Sequence, residues 1–211
     1  MKDQTAHLLM GIDGIGLHID NVSIDGRRAV FLGARAPVSP SDDAQKFGQL
    51  DIMGKQENVV EFLRIIEPNL KSLSSVAMGD ASLIHGDIGL SRKIPVPYMG
   101  DGVSRLLSII LAIATSKNGI VFIDEFENGI HYTAMPKIWE AVAKAAREYE
   151  CQVIGTTHSY ECLEAAYNGI PEDHKEDFSY IRIDRMEDKT LAKCFNHELL
   201  KVAIETSMEV R

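Results

Sequence analysis

Gly119-Ile-Val-Phe-Ile-Asp-Glu-Phe-Glu-Asn128 runs apolar for four residues and then stops on acid. The block Ile120 to Ile123 is too short for a solitary helix, is β-branched and aromatic, and follows the turn pair Asn118-Gly119. It reads as a buried parallel strand. Asp124 and Glu125 then fall at its carboxyl end, where open α/β sheets gather their ligand chemistry. Two adjacent carboxylates ending a buried strand are costly unless a cation or a substrate uses them. Taken alone, the same residues also suit an ordinary strand-to-loop turn with solvated acids.

The flanking segments place this strand in a layered fold. Upstream, Val103 to Thr115 is apolar nearly all round, which predicts a buried helix. Downstream, Met135, Ile138, Trp139, Val142 and Ala146 form one face of a helix spanning about Thr133 to Tyr149, with Pro136 tolerated near its first turn. Gln152-Val-Ile-Gly155 is a second short apolar strand, and it ends in Thr156-Thr157-His158-Ser159. A helix from Tyr160 to Tyr167, strands at Phe178–Ile183 and Leu191–Phe195 that complete the sheet, and a helix from His197 to Ile204 close the chain. Strands alternating with helices at this spacing predict βαβ units and a mostly parallel sheet.

Before Pro97 the character differs. Leu17 to Ile24 alternates, Asp25-Gly26 marks a tight turn, and Ala29 to Leu32 is a strand. The breaker Pro37-Val-Ser-Pro40 precedes a helix through Phe47, and Asn58 to Ile66 is a second helix stopped by Glu67-Pro68. A hairpin is expected with Ser75–Met78 facing Ala81–His85 across Gly79-Asp80. The division expected is an α+β lead-in over 1–97 and an α/β part over 98–211.

Composition narrows the function. The chain has 211 residues, 45% of them hydrophobic and 25% charged, enough for one sizeable core. A net charge of −9 argues against a protein that grips nucleic acid over its whole surface, and no run of Lys and Arg marks a local patch. Three cysteines without CxxC spacing suit a reduced interior. No secretory leader is visible, and the longest apolar run, Leu106 to Ala114, falls far short of the roughly 20 residues that span a bilayer. The expectation is a soluble, cytoplasmic protein with no membrane role.

Three features in one order are more specific than any of them alone. Met99-Gly-Asp-Gly-Val-Ser-Arg105 opens the buried helix, and glycines there let backbone N–H groups approach an anion. The acid-ended strand comes second. The strand end carrying His158 comes third, one helix later. Each has a bland counterpart: a capped glycine turn, solvated acids, a hydrogen-bonded turn histidine.

On these stretches, with Ile123-Asp-Glu-Phe-Glu-Asn-Gly-Ile-His-Tyr132 and the terminal Ala203-Ile-Glu-Thr-Ser-Met-Glu-Val-Arg211, the chain from about Val30 onward resembles the carboxyl-terminal half of bacterial AAA-type ATPases of the ABC-like branch. These lie near the OLD (overcoming lysogenization defect) and SMC/RecF relatives. The fold implied is an incomplete P-loop NTPase of layered α/β type. The resemblance implies roles as well. Asp124 would hold Mg²⁺ through water, and Glu125 would act on the hydrolytic water beside ATP, as a Walker B pair does. His158 would be the switch histidine at the γ-phosphate. Asn128 and His131 belong to the stretch that stands for the D-loop, which crosses a dimer interface. Gly100, Asp101 and Gly102 would be the signature loop, offered to nucleotide in the opposite subunit. Where the ABC pattern has Ser this chain has Gly100, so the contact would rest on backbone N–H groups.

Such families begin with a strand, Gly-x-x-x-x-Gly-Lys-Ser/Thr and a helix. No such loop stands here. Gly48-Gln-Leu-Asp-Ile-Met-Gly54-Lys55-Gln56 has one residue too many between its glycines and lacks the hydroxyl, and Gly11-Ile-Asp-Gly14-Ile-Gly16 has no Lys. The chain therefore reads as an ATPase half that binds nucleotide as a homodimer or with a partner supplying the P-loop, and with an exposed sheet edge or apolar face. Nucleic acid enters this reading only indirectly. Two alternatives stand beside it: a non-catalytic assembly module, and a metal-dependent nuclease-type hydrolase using Asp124, Glu125, Glu127 and His158. Trp139, Cys151 and Cys162 are expected in the core. Arg105 suits either a phosphate or a surface salt bridge.

Overall fold

The structure, a computed structural model, describes residues 11–13, 16–18, 23–24, 26–34, 38–79, 81–186 and 189–205. Short strands come first: β1 (Gly11–Asp13), β2 (Gly16–His18), β3 (Ser23–Ile24) and β4 (Arg27–Leu32). Helices α1 (Pro40–Ile52) and α2 (Gln56–Arg64) follow, then strands β5 (Ser72–Met78), β6 (Ala81–Asp87) and β7 (Ile94–Pro95). A 3₁₀ turn (Val96–Met99) leads into α3 (Asp101–Ala114), β8 (Ile120–Ile123), α4 (Met135–Glu148), β9 (Gln152–Gly155) and α5 (Tyr160–Gly169). After a second 3₁₀ turn (Glu172–Asp177) come β10 (Ser179–Met186), β11 (Lys189–Asn196) and α6 (His197–Glu205). Residues 14–15, 19–22, 25, 35–37, 80 and 206–211, which the sequence reading used in part, lie outside the described residues.

The central sheet runs β3-β4-β8-β9. Its last three strands are parallel, with Phe31 opposite Phe122 and Phe122 opposite Ile154. The apolar run that opened the sequence reading is thus the inner strand, and Val121 and Ile123 are buried. Being apolar on both faces, it needs cover on both. Helix α3 supplies part of that cover: Leu106, Ile109, Ile110, Leu111 and Ile113 are all at or near zero exposure. Each such side chain contributes about 1.5–3 kcal/mol over its exposed state. Strand β4 lies before residue 97 yet pairs with β8, and one core runs from Leu32 through α1, α2 and α3 to Ala165.

The expected hairpin is present, with Met78 opposite Ala81 and Ser74 opposite His85. It forms a separate antiparallel sheet with β7. Strands β10 and β11 differ from the expectation. They do not complete the central sheet but, among the described residues, pair only with each other. Tyr180 and Phe195 on one face pack with Leu163 of α5 and Leu200 of α6, which anchors the hairpin there instead. Its other face leaves Ile181 and Ile183 exposed. Strand β9 consequently ends the central sheet, unpaired on its outer side among the described residues, with Ile154 exposed.

The rejected P-loop stretch is a helix–turn–helix: Gly48 lies inside α1, and Gly54, at φ +68°, turns the chain toward α2. Among the described residues no helix is long and apolar enough to cross a membrane.

Candidate functional site

The carboxyl ends of β8 and β9 meet through Thr156. Its hydroxyl accepts the Glu125 N–H at 2.9 Å and donates to Asp124 Oδ1 at 2.8 Å. The backbone extends the same junction, with Thr156 N–H donating to the Ile123 carbonyl and Phe126 N–H to the Thr156 carbonyl, both at 2.9 Å. Asp124 N–H donates to the Leu32 carbonyl at 2.9 Å, which ties in β4 as well. Three parallel strand ends therefore fix one short acidic loop. Parallel pairing with matched register is what makes this happen, because it brings every carboxyl end to the same edge.

Glu125 sits at φ +46°, a left-handed conformation uncommon for a residue with a side chain. The Thr156 hydrogen bond to its N–H holds that turn. Neither the second oxygen of Asp124 nor the carboxylate of Glu125 has a hydrogen-bond partner among the described residues. His158 is placed by its own N–H, which donates to Glu127 Oε1 at 3.1 Å. The residue is exposed, three positions beyond the end of β9. The structure thus brings Asp124, Glu125 and His158 to one edge, as their order in the chain led one to expect.

Asn128 reaches across instead, its amide donating to the Ala34 carbonyl at 3.0 Å. His131 Nδ1 lies 2.8 Å from Thr133 Oγ1, and its ring tilts against Tyr132 at 4.5 Å between centroids. Both residues stand in the exposed loop between β8 and α4.

The Gly100-Asp101-Gly102 turn caps α3. Gly100 has φ +120° and ψ 151°, a region essentially closed to residues with a Cβ, and the Ser104 N–H donates to its carbonyl at 3.1 Å. This backbone requires glycine at position 100. One turn further in, Arg105 donates to the Asp124 carbonyl at 3.3 Å. Burial holds its guanidinium below the ordinary value, and the nearby Asp124 charge pulls the other way. Arg105 is neither a surface salt bridge nor a free cation: it props the acidic loop from beneath.

Two contacts escaped the sequence reading. Thr156, quoted only as part of its motif, and Glu127, named only for the nuclease alternative, act through partners 31 positions away, and neither residue type announces such a contact. The signal available was their place beside Glu125 and His158 in the same two motifs. No three His, Cys, Asp or Glu side chains among the described residues gather closely enough to hold a metal by themselves. The four groups of the nuclease alternative are therefore not assembled as such a centre.

This layered α/β fold with its parallel sheet resembles the P-loop NTPase fold of SMC ATPase heads. Solved structures of similar fold can be named. A structure titled "Structural biochemistry of ATP-driven dimerization and DNA stimulated activation of SMC ATPases" matches 79% of this chain and 99% of its own at a TM-score of 0.52 and 12% identity. An Smc head bound to the C-winged helix domain of ScpA matches 80% of this chain and 53% of its own at 0.51 and 12% identity. Residues 16–164 match the family described as "AAA domain, putative AbiEii toxin, Type IV TA system", and the chain belongs to that family. An "ATP/GTP phosphatase" of Helicobacter pylori (strain ATCC 700392 / 26695) is 27% identical over 128 residues, which are 59% of this chain and 33% of that protein. The matched region thus spans about a third of that relative's length.

Proposed function

We propose that this chain supplies the acidic and sensing edge of an ATP-hydrolysing site whose phosphate-gripping loop lies outside these residues. In this reading residues 98–211 carry the nucleotide chemistry and 1–97 support it. The Thr156 hydroxyl, joined at once to Asp124 and to the turn of Glu125, is the observation that carries the proposal. A loop with merely solvated acids has no need of such fixing.

Asp124 fits a magnesium role because it offers a hard oxygen donor with one oxygen left unbonded by protein. The ion, when bound with ATP, would neutralise charge developing on the phosphates. Glu125 is held with its carboxylate unpaired, as a residue that orients and polarises water must be. His158 stands on the neighbouring strand end to donate to the terminal phosphate. Gly100, Asp101 and Gly102 present N–H groups at the amino end of α3, where the helix dipole favours anions. Asn128 and His131 occupy the exposed loop through which a second copy would be felt, so a nucleotide-bridged homodimer is part of the proposal. Kinship with the OLD branch and a cytoplasmic setting belong to it too.

The open outer side of β9, with Ile154 exposed, supports the expectation of a missing strand. Unpaired strand edges are readily completed by another strand. The occupant we assign is the strand that leads into the P-loop. The test separates binding from chemistry. With a P-loop segment supplied, Glu125→Gln should keep ATP affinity by titration calorimetry while turnover falls at least a hundredfold. Equal turnover by Glu125→Gln would refute the assignment and leave the assembly-module reading.

A further inference from the structure

Away from the acidic edge, the three-stranded sheet β5-β6-β7 packs one face against α1 and turns the other outward among the described residues. Its register sets Ser74 opposite His85 and His85 opposite Pro95, so these side chains share that face, while Ile84 points into the core. The segment before β7 folds back over it. His85, Arg92, Lys93, Ile94, Pro95 and Tyr98 then enclose an open depression of about 420 Å³. Folding thus gathers a cluster that the sequence hid, because His85 stands seven positions from Arg92.

The chemistry of the depression is one-sided. Lys93 Nζ donates to the neutral Ser74 hydroxyl and meets no carboxylate among the described residues. Arg92 has neither a hydrogen bond nor an ion pair among the described residues. No acid lines the walls, and Asp87, the nearest on β6, accepts the Gly89 N–H at 2.8 Å. In a chain of net charge −9, two unpaired cations side by side are out of character. Beside them Tyr98 is 81% exposed, a large ring that gains nothing from the core. Cations next to an open aromatic face are what a single nucleic-acid strand meets on its binding proteins: phosphate on the charge, base on the ring.

We propose that this depression binds single-stranded nucleic acid, with backbone phosphate on Arg92 and Lys93 and a base stacked on Tyr98. An acidic peptide would use the cations but leave the ring idle, and free phosphate would fill little of the volume. The site is independent of the nucleotide reading above. Strand β7 nevertheless runs through the Val96–Met99 turn directly into Gly100, so a strand held here borders the amino end of α3.

Fluorescence anisotropy with the full chain and a labelled oligothymidylate of roughly 16 nucleotides, an upper site size for such surfaces, tests this across a salt series. Each phosphate contact to a single strand contributes about 0.7 to the slope of log affinity against log salt. The double variant Arg92→Ala/Lys93→Ala should therefore flatten that slope by about 1.4, while Arg92→Lys leaves it intact. Tyr98→Ala should weaken binding about five- to 150-fold at an unchanged slope. All three sites are exposed, and unchanged urea midpoints will verify that the variants fold. Absence of binding at low salt, indifference to the double variant, or equal displacement by polyglutamate or inorganic phosphate would each overturn the proposal.

Discussion

Replacing Thr156 by valine keeps the side-chain volume and removes one hydroxyl. That hydroxyl makes a neutral bond from the Glu125 N–H at 2.9 Å and a bond to the Asp124 carboxylate at 2.8 Å. Net values of about 0.5–1.5 kcal/mol for the first and about 1.5–3 for the second set a ceiling near 4.5 kcal/mol. Thr156 is exposed, so water replaces much of what is lost, and relaxation of the left-handed Glu125 turn returns part of the rest. The expected loss is about 1–2 kcal/mol. At a urea slope of roughly 2 kcal/mol/M this lowers the unfolding midpoint by about 0.5–1 M with the slope unchanged. Turnover in the completed site should fall further, at least about tenfold, because each 1.4 kcal/mol of lost positioning is a factor of ten. Thr156→Ser keeps the hydroxyl and should stay near the parent in both assays. A valine variant equal to the parent, or a serine variant that falls as far as valine, would refute the reasoning.

Other perturbations probe the scaffold. Asp43 is buried between α1 and α3, accepts the Ser108 hydroxyl at 2.5 Å, and has its pKa raised chiefly by burial. The folded state therefore holds the proton more tightly than the unfolded one, so the contribution is full in acid and is lost as pH rises through the unfolded and then the folded pKa. Asp43→Asn should flatten that pH dependence and match or exceed the parent's urea midpoint at pH 8. Burial pushes the Cys151 and Cys162 thiols up to about 11, whereas Cys194 is exposed. Iodoacetamide on the native chain should label Cys194 first, as read by peptide mass spectrometry. At Gly169 a Cβ would stand 2.1 Å from the Pro136 carbonyl oxygen, so Gly169→Ala should force α5 off α4 and cost about 1–3 kcal/mol in urea unfolding.

Much of the architecture was legible because it rests on local pattern. Ile120–Ile123 and the apolar helix after Gly102 carry their burial in their own residues, the strand before Thr156 carries its β-branched pair, and the Ser72–Asp87 hairpin carries its turn. What escaped depends on partners distant in sequence. Nothing in Phe178–Phe195 states whether those strands join β9 or each other. The choice follows from Tyr180 and Phe195 finding Leu163 and Leu200. Within the site, the order of motifs pointed to Asp124, Glu125 and His158. The hydroxyl that locks two of them and the guanidinium of Arg105 beneath became visible only when β8 and β9 lay side by side.

The most direct measurement is Mg²⁺-dependent ATP turnover by this chain, alone and mixed with a polypeptide carrying a strand, Gly-x-x-x-x-Gly-Lys-Ser/Thr and a helix. The account predicts little turnover by either component, clear turnover by the mixture, and its loss with Glu125→Gln. Brisk hydrolysis by the chain alone, or a mixture indifferent to Glu125→Gln, would contradict it.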